Sequence, residues 1–276
     1  FNKIVFYNYD DKSNIVKSKT VEDFNRVFSG NVPSWVKNDF KKFKVPLLQS
    51  INLTINHDDL KLRKFLFNCV DIEKLRTAYF PAQKSFQDIE NHLPIGVNGA
   101  RSGKTSQNCS EELRGYAKGK TIKFLNWKQD NLTQIEKYWG QFEKEYGVTE
   151  NIQNKDINYL VSVIFKNPHP YNLVIIALDA VKPNSLSFYD HIIGLEKSLI
   201  DQRFPKAITI YETLKKESEQ DVINTLNAKM LGLIKESNVI LPLFQEVRTF
   251  YYPQRIKNIK IGFDFLGYPE VGKLRI

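Results

Sequence analysis

Two spacings of apolar residues alternate along the chain, one close to every second residue and one close to every helical turn. Residues 1–9 set Phe1, Ile4, Phe6 and Tyr7 among Asn and Lys, which predicts a strand running into Asp10 and Asp11. Residues 20–28 predict a short helix, with Thr20 as N-cap, Asp23 in its first turn and Gly30 as its stop. A second strand is expected over 47–56 and a helix over about 58–67. Residues 93–110 are polar, Gly-rich and irregular, the composition of a surface loop.

The second half is more regular. Residues 121–127 predict a strand. Residues 131–146 predict an amphipathic helix with Ile135, Tyr138, Trp139 and Phe142 on one stripe, and Gly147 is placed to end it in a left-handed conformation. Residues 159–165 are apolar. Leu173 to Leu178 is a continuous apolar run of the kind that forms a buried strand, and it ends in a carboxylate, Asp179. Residues 221–235 predict a helix with Val222, Leu226, Met230 and Ile234 about a turn apart. Strands alternating with helices define an α/β chain.

At 276 residues and 42% hydrophobic content the chain can bury a real core in one large or two smaller domains. A net charge of +9 would suit an anionic partner, but acidic residues are interleaved almost everywhere and no stretch is purely basic. No nucleic-acid partner is expected, because the aromatic-basic run Phe250–Arg255 with Lys257 and Lys260 lacks any RNA-recognition signature. Ile256, Ile259 and Ile261 fit that tail better to a pair of short strands. The first residue is Phe1, and no run of 18 apolar residues occurs, so a processed or cut chain with no membrane span is expected.

Candidate chemistry is sparse. Gly99, Gly103, Lys104 and Thr105 resemble a phosphate-binding loop, but that motif needs four residues between its glycines and Asn98 stands where the first should be. The histidines His57, His92, His169 and His191 are scattered, and neither Cys69 nor Cys109 has a second Cys or His at metal spacing, which argues against zinc. The two cysteines could form one disulfide if the protein lives outside the cytoplasm. No catalytic constellation, and hence no enzyme and no cofactor, is implied. Asp179 is the sharpest candidate, since the carboxyl end of a buried strand is where open α/β sheets bind ligands; a helix-capping or turn role is the alternative at that position.

Residues 178–188, beginning with Leu178, Asp179, Lys182 and Pro183, resemble the Asp-Tyr-Pro-Asp-Pro-x-x-Phe-Leu region of the family 5 extracellular solute-binding proteins, which serve dipeptide, oligopeptide and nickel importers. Other segments agree in order: residues 50–56 resemble the family's Tyr-Leu-x-Phe-Asn strand and 62–71 its Val-Arg-x-Ala-Leu-x-x-Ala-Ile-Asp helix. Leu93, Pro94 and Gly96 sit at its Pro-Pro-Gly loop, residues 145–148 at its Leu-x-x-Ile-Gly-Ile turn, Ile240, Pro242 and Leu243 at its Ile-Pro-Leu, and Gly267 with Tyr268 near its closing Gly. Lys182 replaces the family's second acid, which alters the charge beside Asp179.

The resemblance implies a clam-like periplasmic-binding-protein fold of type II, in its C-terminal portion only. Residues 1–47 would be a returning part of the first lobe, 48–239 the complete second α/β lobe, and 240–276 the strands crossing back. It implies a non-enzymatic subunit of an ABC importer, periplasmic or otherwise extracytoplasmic, with a missing N-terminus that leaves room for a membrane anchor. The subunit would bind a peptide or other small ligand by hinge closure and dock on a membrane permease. Asp179 would receive the peptide's α-ammonium, with Leu178, Lys182 and Pro183 beside it, and the missing N-terminal portion of the protein would supply the opposite wall. The alternative is the ligand sensor of a transcription regulator with the same fold, its DNA-binding part absent.

Overall fold

The computed structural model describes residues 28–29, 34–81, 83, 85–127, 131–163, 170–179, 182, 184–195 and 204–254. Its elements begin with β1 (Phe28–Ser29), α1 (Ser34–Asp39), β2 (Lys41–Ile55), α2 (Leu60–Cys69), α3 (Ile72–Tyr79), β3 (Phe86–Gln87), α4 (Glu111–Ala117) and β4 (Thr121–Asn126). They continue with α5 (Leu132–Tyr146), β5 (Thr149–Asn154), α6 (Ile157–Val163), β6 (Leu173–Asp179), α7 (Ser185–Tyr189), a π-helical stretch (Asp190–Leu195), α8 (Pro205–Leu214), α9 (Gln220–Ser237) and β7 (Ile240–Tyr252). The strand expected over 1–9 and the tail beyond residue 254 lie outside the described residues. So does most of the helix expected over 20–28, but its last residue, Phe28, lies in a strand.

The chain divides into two units, Phe1–Leu47 with Val247–Ile276, and Leu48–Glu246. In the smaller, β1 pairs antiparallel with β7, Phe28 opposite Tyr251, and Val45, Leu47 and Phe250 are buried together. In the larger, the strand order is β7-β2-β6-β4-β5, with β3 on the outer side of β7. There β4 is parallel to both β5 and β6, while β2 runs antiparallel to β6.

Helices cover both faces of this sheet, and the pleat decides which residues each face receives. Ile51, Leu53 and Ile55 of β2, Ile122 and Phe124 of β4, and Leu173 and Ile175 of β6 face one way. There they meet α2, α3 and the stripe of α5, with Trp139 fully buried against Phe124 at a ring separation of 4.9 Å. Val174, Ile176 and Leu178 face the other way, towards α6, α7, α8 and α9, where Met230 and Ile234 are buried and Val222 is exposed. Burial of both faces explains why the β6 run is uninterruptedly apolar.

Local signals set the helix ends. Asp59 caps α2 by accepting from Lys61 N and Leu62 N, and its other carboxylate oxygen accepts from the Tyr116 hydroxyl of α4. These contacts hold its carboxyl below the usual carboxylate range despite the opposing effect of desolvation. Asp59→Ala is expected to cost about 1 kcal/mol by the loss of the cap, read as a lower urea midpoint. Gly147 ends α5 at φ 66°, its N–H donating to Glu143 O at 2.8 Å. Beyond it the chain enters β5, so β4, α5 and β5 form one parallel crossover unit.

Candidate ligand-binding site

β6 outruns its parallel neighbour. Its register with β4 pairs Phe124 with Leu173 and Leu125 with Val174, whereas its register with β2 continues to Ser50 opposite Leu178 and Gln49 opposite Asp179. Among the described residues, therefore, the last part of β6 is paired on the β2 side alone. The Trp127 indole, just past the end of β4, donates to Ile175 O at 2.7 Å and marks where the open edge begins. Ala177 and Asp179 are exposed on this step. Among the described residues the site thus presents a strand edge without a partner that finishes in a carboxylate, the arrangement an extended, amine-bearing chain would use for binding.

The sequence-predicted residues are distributed unevenly here. Leu178 is 1% exposed and its side chain belongs to the opposite face, so only its backbone can reach this edge. Lys182 is exposed. Pro183 lies outside the described residues. α7 is capped by Asn184, whose Oδ1 accepts from Ser187 N at 2.9 Å. Asp179 itself therefore does not cap α7; Asn184 does.

Beneath the step lies a buried polar layer that sequence reasoning missed. Ser50 donates its hydroxyl to His92 O at 2.5 Å, and Asn52 Nδ2 donates to Ser50 Oγ at 2.9 Å. The Gln245 side chain clamps the backbone of Ile95, accepting from its N–H at 2.9 Å and donating to its carbonyl at 3.1 Å. Asn91 and Asn227 tie the same segment at Gly99 O and Asn98 O. The predicted surface loop over 93–110 is thus half-buried, with Leu93 fully covered and Val97 5% exposed. Gly96 adopts φ 110°, a conformation that favours glycine, where the loop passes Leu48. The available signal was the alternation of Ser50, Asn52 and Thr54 in β2, all fully buried, with Ser50 bonded to His92 O and Thr54 to Val174 O.

The other candidates hold structural positions. His92 is fully buried beside the Tyr189 ring, and burial depresses its pKa to about 3, so it stays neutral and supplies no physiological base. His57 Nδ1 accepts from Asp59 N at 3.0 Å. His191 lies in the π-helical stretch, and His169 is outside the described residues. Lys104 pairs with Glu73 and Thr105 donates to Ile89 O, and the next helix begins only at Glu111, so no helix N-terminus follows the glycines to cradle phosphate. Cys69 and Cys109 form a disulfide joining the end of α2 to the residue before the α4 cap. Among the described residues, no group of three or more His, Cys, Asp or Glu is arranged to hold a metal.

No family model and no curated protein matches the sequence. Solved structures do match the fold. The ABC transporter substrate-binding protein CtaP of Listeria monocytogenes superposes with a TM-score of 0.72 at 14% identity, over 93% of this chain and 57% of that one. A dipeptide-binding protein of a Pseudoalteromonas species, in complex with Met-Leu, gives 0.65 at 15% identity over 86% and 50%. NikA of Brucella suis, in complex with Fe(III)-EDTA, gives 0.69 at 11% identity over 90% and 57%. The chain therefore has the fold of the ABC-transporter substrate-binding proteins, a mixed α/β fold. It spans between 50% and 57% of the length of these three structures.

Proposed function

We propose that this chain is the C-terminal portion, about half, of the ligand-binding subunit of an ABC importer, and that it grips a peptide at the open end of β6. The observation that carries the reading is the step itself: an exposed Asp179 closing an edge that β4 leaves unpaired. A peptide lying along Ala177–Asp179 would pair its backbone with that edge, and its α-ammonium would meet the Asp179 carboxylate. Such a charge-assisted hydrogen bond is generally worth about 1.5–3 kcal/mol. The dipeptide in the Pseudoalteromonas structure supports this ligand class.

Leu48–Glu246 would be the complete second lobe, and Phe1–Leu47 with Val247–Ile276 a part of the first. β2 and β7, which contribute residues to both units, would act as the hinge strands. Closure requires a ligand that contacts both lobes, so the rest of the first lobe is needed for full affinity. The disulfide fits an extracytoplasmic compartment. No helix among the described residues is long and apolar enough to cross a membrane. The sensor-of-a-regulator alternative gains no support from these likenesses.

Titrating the complete protein with a dipeptide and with its N-acetylated form tests the reading. The expected result is that acetylation weakens binding at least about tenfold, the equivalent of one charge-assisted contact, and that Asp179→Ala removes this discrimination. Equal affinities for the two forms would remove Asp179 from the role.

A further inference from the structure

A cavity of about 410 Å³ opens at the corner where α2 turns into α3. Its other walls are two stretches, Asp88 with Ile89 and Lys104 with Thr105 and Gln107, together with Tyr146 of α5 and Pro242 and Leu243 of β7. None of Asp179, Leu178 or Lys182 lines it. At its base lies Arg76, whose side chain is only 10% exposed. The guanidinium is held in place: one face stacks on Phe86, 3.4 Å from the ring centroid, and Nη1 donates to Asp88 at 3.0 Å.

That leaves donors unused. Among the described residues, Nε and Nη2 of Arg76 have no acceptor, yet neither is sealed from solvent. A fixed, planar guanidinium with an open edge in a half-enclosed cavity is a receptor for a carboxylate. A bare anion is disfavoured there, because the wall carries Asp71, Glu73 and Asp88 against Arg76 and Lys104. Asp71 carries the opposite charge at the rim: its Oδ1 accepts from Lys74 N at 3.0 Å and its Oδ2 pairs with Lys74 Nζ at 3.1 Å, contacts that hold its carboxyl below the usual range against desolvation, and with 42% of its side chain exposed a ligand ammonium would share it with Lys74. Val70, Ile72, Ile89 and Leu243 add an apolar wall, and the volume lies at the small-molecule end of ligand cavities.

We propose that this cavity binds a small zwitterion, a free amino acid with an apolar side chain, its carboxylate on Arg76 and its ammonium towards Asp71. The site is independent of the one at β6, since it rests on different residues.

The test is a titration of the protein with leucine, N-acetylleucine and leucinamide, followed by backbone amide shifts. Leucine is expected to shift the amides of residues 70–73 and 104–107 saturably, with each blocked analogue binding at least about tenfold more weakly for the loss of one charge-assisted contact. Arg76→Lys keeps the charge but loses the planar edge, and should weaken leucine by a similar factor. Asp71→Asn keeps a good N-cap for α3 and so should stay folded; it should weaken leucine while leaving N-acetylleucine unchanged. Absence of saturable shifts at these residues, blocked analogues that bind as well as leucine, or leucine binding untouched by Asp71→Asn would each overturn the proposal.

Discussion

Replacing Cys69 and Cys109 together by alanine is expected to lower the stability of the protein by about 4 kcal/mol, the chain-entropy value for a cross-link closing a loop of this length. The two residues stand 40 positions apart, so the reduced, unfolded chain regains the freedom of the whole segment through α3, β3 and the half-buried loop. The native state gives up little in exchange. Gln107 still donates to Phe67 O and Val70 O at 2.7 and 2.9 Å, and Asn108 N to Asn68 Oδ1, so the loop keeps its place on the end of α2. Urea unfolding with and without reductant measures the difference. An unchanged midpoint would show that the cross-link constrains nothing.

Raising the pH from 5 to 9 is expected to destabilise the protein, and Glu150 is the cause. It sits on the edge strand β5 opposite Ile122 of β4, so its side chain shares the face covered by α5. Both carboxylate oxygens are buried without a hydrogen-bond partner among the described residues. Desolvation, reinforced by the nearby Glu143 carboxylate, pushes its pKa from 4.5 up to about 8. The folded protein therefore holds this carboxyl neutral at pH 7, while the unfolded chain ionises it near 4.5. The stabilisation is complete below that value and is lost as the pH rises through about 8. At about 1.4 kcal/mol for each tenfold difference in proton affinity, the loss is on the order of a few kcal/mol. Glu150→Gln cannot ionise, so thermal melts of the variant should be flat over this range while those of the parent fall. Parallel falls in both would assign the alkaline loss to other groups. An inward-pointing carboxyl also suits an edge strand, since it opposes pairing with a second chain.

What the sequence made legible follows from how each element is buried. The β6 run and the α5 stripe are covered on a wide apolar front, and their patterns announce them. Gly147 was readable as a C-cap because few residues accept φ 66°. By contrast, α4 buries only Ala117 and carries Gly115 in its interior, so it shows no stripe. β5, Thr149–Asn154, is an edge strand with no fully buried residue and hence no apolar alternation. Asp179 stood out as a candidate because it ends an otherwise apolar strand. Arg76 and the Ser50, Asn52 and Gln245 layer were not, because their partners are backbone groups or carboxylates brought near by the fold rather than by sequence distance. The pairing of Cys69 with Cys109 likewise depends on α2 and α4 packing together, which no local pattern states.

The central claim is that the open end of β6 is where ligand sits, and amide shifts on adding a dipeptide to the complete protein test it most directly. The account predicts that Ala177, Leu178 and Asp179 shift together with the Trp127 indole N–H, and that Asp179→Ala abolishes these shifts. Saturable shifts elsewhere in Leu48–Glu246, with Ala177–Asp179 and Trp127 unmoved, would contradict it.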